Sequence, residues 1–251
     1  MLLQPSLRKL CAKSRHARFI KRYLDSTHGD AGEGAAGSKP GATTGLFQKN
    51  LAAAGLSAGD VDAVVISHLH GDHVNGLLDG DSKPTFPNAE ILVPAPELAF
   101  WMDDGEMSRA PEGRMAGLFK NNRRVFNNDD IKTRVATYEW DKEVAPGILA
   151  QGAPGHTVGH TSYVISSGDK SVYVQSDVTN NPALFVRNPK WHAFFDQDGA
   201  KAEETRLKVY EMVVAEKMMM QGFHYPFPSL GHVEKDGSGY RVVPVAWTPQ
   251  L

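Results

Sequence analysis

The chain has 251 residues, 41% hydrophobic and 22% charged, with 27 basic against 29 acidic side chains and a net charge of −2. That composition suits one large α/β domain or two small ones, with no whole-molecule field for gripping nucleic acid and no run near the roughly 18 apolar residues of a membrane span. A single cysteine, Cys11, excludes an intramolecular disulfide and a thiolate-built zinc site, so any metal must sit on histidine and carboxylate.

The first 24 residues carry Arg8, Lys9, Lys13, Arg15, Arg18, Lys21 and Arg22, with no acid before Asp25 and with Leu2, Leu3, Leu7 and Leu10 between them. Such a segment reads as an organelle transit peptide, a short basic helix lying on the domain, or a poorly structured tail. Without a transit function the cytoplasm is the default location. Residues 28–45 are rich in Gly, Ala and Ser and read as loop. Residues 1–40 are therefore set apart as an atypical basic and glycine-rich segment, and residues 41–251 as the folded domain.

A helix is expected over about 44–54, with Phe47 and Leu51 one turn apart and Gly55 as its stop. The apolar run 61–66 reads as a buried strand, and a short helix should open at 74–78. A strand at 90–93 and a helix at 96–102 follow. Residues 103–130 are polar and show no clear pattern. Three strands are expected at 147–152, 162–165 and 171–175, then an aromatic-rich loop over 182–198. A helix spans about 200–219, with Leu207, Tyr210 and Val214 at helical spacing, and a strand lies near 240–245. Strands and helices alternate with many short connections, which favours a layered sheet sandwich with outer helices.

The chemistry concentrates just past the first strand, in His68-Leu69-His70-Gly71-Asp72-His73. In extended backbone His68 and His70 point the same way, and Asp72 and His73 fall on the turn into the next helix. Four ligand-type residues in so short a stretch can serve two adjacent metals. A second element, Pro154-Gly155-His156-Thr157-Val158-Gly159-His160-Thr161, offers His156 as a ligand and His160 as a residue that orients its neighbours. Asp177 follows a strand, and its two oxygens could bridge two cations. His224 sits in a loop fixed by Pro226, Pro228 and Gly222, while His232 reads as structural.

Together these motifs resemble the metallo-β-lactamase fold hydrolases, over about residues 41–248. Phe185-Val186-Arg187-Asn188-Pro189-Lys190-Trp191, Phe195-Asp196 with Thr205-Arg206, and the segment His224 to Val233 are similar to methyl parathion hydrolase-like proteins. The resemblance implies a four-layer αββα sandwich. It assigns one metal to His68, His70 and His156, the other to Asp72, His73 and His224, with Asp177 as the bridge. Such proteins usually begin with several strands leading into an Asp-Thr-Gly turn. Here residues 1–40 show no convincing strand pairs and Asp25-Ser26-Thr27 is at best a remnant, so the N-terminal sheet is expected to be incomplete. An open edge beside the 61–66 strand would then favour a homodimer or poor solubility.

Two divalent cations, zinc first with manganese, iron or cobalt as alternatives, would share a water and lower its pKa toward neutrality. The expected reaction is attack by that hydroxide on a small neutral ester, lactone or phosphotriester, with Asp72 orienting it and accepting a proton. Trp191, Phe194, Phe195, Tyr225 and Phe227 are candidate pocket walls, suited to a flat apolar group. Arg187 and Lys190 are the only candidate partners seen for a substrate carboxylate. No nucleic-acid or membrane partner is expected. An iron-dependent oxidoreductase on the same fold, a β-lactamase, a nuclease and an inactive binding module stay open as alternatives.

Overall fold

The apolar run before the histidine motif folds as a short strand, β1 (Ala63–Val65), with all of its residues buried. The structure is a computed structural model that describes residues 47–246. It divides into two units, one ending at Tyr138 and the other beginning at Glu139. The basic segment 1–40, Cys11 and the Asp25-Ser26-Thr27 turn lie outside the described residues.

In the first unit, α1 (Phe47–Ala53) precedes β1. The helix after the motif begins earlier than its apolar residues suggest, as α2 (Gly71–Val74), and continues in a 3-10 turn, Asn75–Leu77. Next come β2 (Glu90–Pro94), α3 (Ala95–Met102), α4 (Asp104–Arg109), α5 (Arg114–Phe126), α6 (Asp129–Lys132) and β3 (Val135–Tyr138). The three strands form a parallel sheet in the order β1-β2-β3. Parallel neighbours need long crossovers, and the intervening helices supply them.

The stretch 103–130, which has no readable pattern, is largely helical; side-chain caps start α4 and α6, while α5 begins after Gly113 without one. Asp103 accepts from Glu106 N (2.7 Å), and Asn128 accepts from Asp130 N and Ile131 N. Helix α5 then turns Phe119, Val125 and Phe126 inward. They join Leu69, Val74, Ile91, Val93, Trp101 and Ile131 in one apolar core. Leu69 is thus a core residue placed between two motif histidines.

The second unit holds β4 (Glu143–Ala145), β5 (Ile148–Gly152), β6 (Thr161–Ser167), β7 (Lys170–Val174), α7 (Gly199–Ala215), β8 (Met219–Gln221), β9 (Leu230–Asp236) and β10 (Gly239–Pro244). They build a seven-stranded sheet in the order β10-β9-β8-β7-β6-β5-β4. All pairs are antiparallel except β7 with β8, whose crossover contains α7. The buried stripe of α7 is Ala202, Thr205, Arg206, Val209, Tyr210 and Val213. It is rotated from the expected Leu207–Tyr210–Val214 line, since Leu207 and Val214 are only partly buried. The rotation arises because Thr205 and Arg206, polar by type, are turned inward to bond backbone carbonyls.

Candidate metal centre

The first unit presents four ligand-type side chains in and just after the loop leaving β1. Leu69 is driven into the core, so its neighbours His68 and His70 project the other way, both buried. His68 Nε2 and His70 Nδ1 lie 3.2 Å apart. The His73 ring packs 4.0 Å from that of His68, and His73 Nε2 is 3.6 Å from Asp72 Oδ2. His70 occupies the N-cap position of α2, which turns Asp72 and His73 back toward the pair.

Three buried bonds fix this loop, two made to it directly and one that holds Glu97. Glu97 Oε1 accepts from Leu69 N (2.9 Å) and from Trp101 Nε1 (2.8 Å). Tyr138 Oη donates to Ile66 O at 2.7 Å. Glu97 went unassigned in the sequence. Its one signal there is that it is the sole charged residue in the otherwise apolar α3.

The second unit gathers its donors from three loops. His156 follows Gly155, whose φ of +130° and close approach to α7 exclude a side chain; an added Cβ would stand 2.3 Å from Ala202 N. Asp177 follows Ser176, held at a φ of 53°, a left-handed backbone that costs a non-glycine residue about 1–3 kcal/mol. His224 precedes the turn Tyr225–Ser229. Asp177 Oδ2 lies 3.1 Å from His224 Nε2 and 3.4 Å from His156 Nε2.

Across the ring, His156 Nδ1 is 2.8 Å from Asp196 Oδ1, a carboxylate oxygen that accepts from Nδ1–H. Nε2 faces a second carboxylate oxygen, that of Asp177, and a cation held between the two would satisfy both. His160 differs. Its Nδ1 donates to Ala153 O (2.9 Å) and its Nε2 accepts from Asp177 N (3.0 Å), so both nitrogens are occupied by backbone.

The donor set fits divalent metal. At Zn–N distances of about 2.0–2.1 Å, tetrahedral neighbours stand roughly 3.3 Å apart. Such a spacing is found between His68 and His70, and between Asp177 and each of its two histidines. Imidazole and carboxylate suit zinc and comparable ions.

Of the expected pocket aromatics, Phe195 is the half-buried one, its ring 5.7 Å edge-on to His156. Phe194 meets Phe195 edge-on at 5.2 Å yet is 89% exposed. Trp191 and Phe227 are 53% and 54% exposed, and Tyr225 is buried. His232 lies exposed on β9. Asp196, part of the Phe195-Asp196 motif, pairs with His156, a role its place in the sequence does not signal.

A family model described as the metallo-beta-lactamase superfamily matches residues 30–216. Among solved structures, a hydrolase of the beta lactamase superfamily, AbOPH, is 29% identical with a TM-score of 0.76, covering 83% of this chain and 72% of that one. The dizinc quorum-quenching lactonase AidC, in complex with a homoserine product, is 27% identical with a TM-score of 0.76 over 82% of this chain and 71% of that one. The anti-Pycsar protein Apyc1 of Paenibacillus sp. (strain J14) is 27% identical over 143 aligned residues, the match covering 53% of this chain. The chain spans about half the length of that curated relative (52%).

Proposed function

The chain belongs to the metallo-beta-lactamase superfamily, and on that premise we propose that it is a dinuclear metal-dependent hydrolase of small neutral esters, lactones or phosphotriesters. One metal is assigned to His68, His70 and His156, the other to Asp72, His73 and His224, with Asp177 shared. The observation that carries this reading is Asp177 Oδ2, set 3.1 Å from His224 and 3.4 Å from His156, on two separate loops. One carboxylate oxygen between two imidazoles is what a bridging ligand requires.

Two divalent cations there would supply Lewis acidity and a water acidified toward neutral pH. The protein's own groups do the rest. Asp196 keeps the proton on His156 Nδ1 and leaves Nε2 as the donor atom. His160 holds the backbone N–H of Asp177, which sets the direction of that carboxylate. The Asp72 carboxylate, one-third exposed beside His73, is placed to orient water and take up its proton. Phe195, packed on His156, offers an apolar edge for an aryl or acyl group and excludes water from that side. The lactonase among the structural neighbours adds support for a lactone or related ester.

The test is a comparison of kcat/KM for the zinc-loaded protein across aryl esters, acyl lactones, phosphotriesters and β-lactams. The neutral classes should be turned over, with β-lactams the poorest. A clear preference for β-lactams would refute the substrate assignment.

A further inference from the structure

The Asp196 and Arg206 side chains are each only 2% exposed, and their nearest charged atoms, Asp196 Oδ2 and Arg206 Nη2, are 3.5 Å apart. A buried ion pair is a poor way to gain stability, because the desolvation of both charges offsets their attraction. What this pair touches points to another role.

Asp196 gives its other oxygen to His156 Nδ1. Arg206 spreads its planar fork over three carbonyls. Its Nη1 donates to Pro189 O and Trp191 O, both at 2.8 Å, and its Nε donates to Val178 O at 3.2 Å. Val178 is the residue after Asp177, while Pro189 and Trp191 belong to the aromatic loop. The adjacent Thr205 donates to Pro154 O at 2.6 Å, two residues before His156. Gln197 N and Asp198 N in turn bond His156 O and Gly155 O.

We propose that Asp196 and Arg206 are a positioning pair that fixes the His156 ring and locks the aromatic loop to the turn carrying Asp177. This rests on the metal-hydrolase reading and extends it. Metal affinity and the fit of an apolar substrate thereby become coupled, since one guanidinium sets both loops. Lysine cannot replace it, because an ammonium cannot hold three divergent carbonyls in one plane.

The experiment uses the full chain as wild type, Asp196→Asn and Arg206→Lys. Zinc affinity is read by chelator competition, folding by the melting of metal-free protein, and the His156 tautomer by nitrogen NMR of metal-free wild type. Asp196→Asn keeps the shape and one acceptor oxygen. It should fold and weaken zinc about 10–100-fold, the usual scale for losing a partner behind a ligand. Arg206→Lys should weaken zinc and raise KM for aryl esters together. Folded variants that bind zinc as tightly as wild type would overturn the proposal. Should the variants fail to fold, the tautomer decides: a ring with a proton on Nδ1 supports the pair, and one protonated on Nε2 alone overturns it. Wild type that binds no divalent metal refutes the hydrolase reading itself, whereas wild type that binds two while the folded variants match it refutes only the pair.

Discussion

Replacing Glu97 with alanine should damage the protein twice over. Its Oε1 accepts two bonds in a fully buried place, from Leu69 N and Trp101 Nε1. Deleting it strands two buried donors, each costing about 1–3 kcal/mol. At the middle of that range the loss is about 4 kcal/mol, against a total stability of about 5–15 kcal/mol for a typical domain. For a chain of this size such a loss lowers the melting temperature by roughly 8–16 °C. Leu69 is the link between His68 and His70, so zinc affinity should also fall, by about 10–100-fold. Glu97→Gln keeps the oxygen and both bonds and should lie close to wild type in both readouts. Calorimetry and zinc competition on the three proteins measure this. A Glu97→Ala protein that melts within 2 °C of wild type (about 1 kcal/mol or less) and binds zinc equally well would refute the reasoning.

Other substitutions separate the roles of neighbouring residues. Removing His156 should abolish one metal site, while His160→Ala should cost only about 10–100-fold in affinity, because its nitrogens serve backbone groups; titration with zinc distinguishes them, and the reverse order would exchange their roles. Gly155→Ala should leave little folded protein, since its Cβ would collide with the backbone of α7; soluble yield and circular dichroism check this. Phe195→Ala should raise KM for aryl esters more than for small aliphatic esters, as its ring packs on His156; equal effects on both would remove it from the pocket. Burial pushes the Tyr173 and Tyr210 hydroxyls from 10.0 up to about 12. The folded state thus keeps protons that the unfolded chain gives up, so their contribution is whole below pH 10 and is lost as pH rises toward 12; urea melts across that range should show falling stability.

The candidate ligands are legible because their signal is local. His68, His70, Asp72 and His73 fall within one short loop after an apolar run, and glycines flag the turn at His156. The residues that bond to the histidine loop and to His156 are not legible. Glu97 meets Leu69 across 28 positions, and Asp196 meets His156 across 40. Neither spacing leaves a trace in a one-dimensional pattern. Strands β3, β4, β8 and β9 were missed for a related reason. Met219–Gln221 and Glu143–Ala145 are three-residue strands fixed by their sheet neighbours rather than by β-branched composition. The helices of 103–130 hide behind polar surfaces, with Asp103 and Asn128 marking the starts of α4 and α6 and no side-chain cap marking that of α5. In the aromatic loop, size and apolar character do not separate Phe194 and Trp191, both exposed, from Phe195, which packs on His156.

The most direct test of the central claim is the metal content of the full chain after equilibration with zinc and removal of excess, set beside that of Asp177→Ala. A shared carboxylate predicts two zinc ions per wild-type chain and weak retention of both in the variant, with hydrolysis lost alongside. One tightly held iron with no second metal in wild type, or two zinc ions still firmly held by Asp177→Ala, would contradict it.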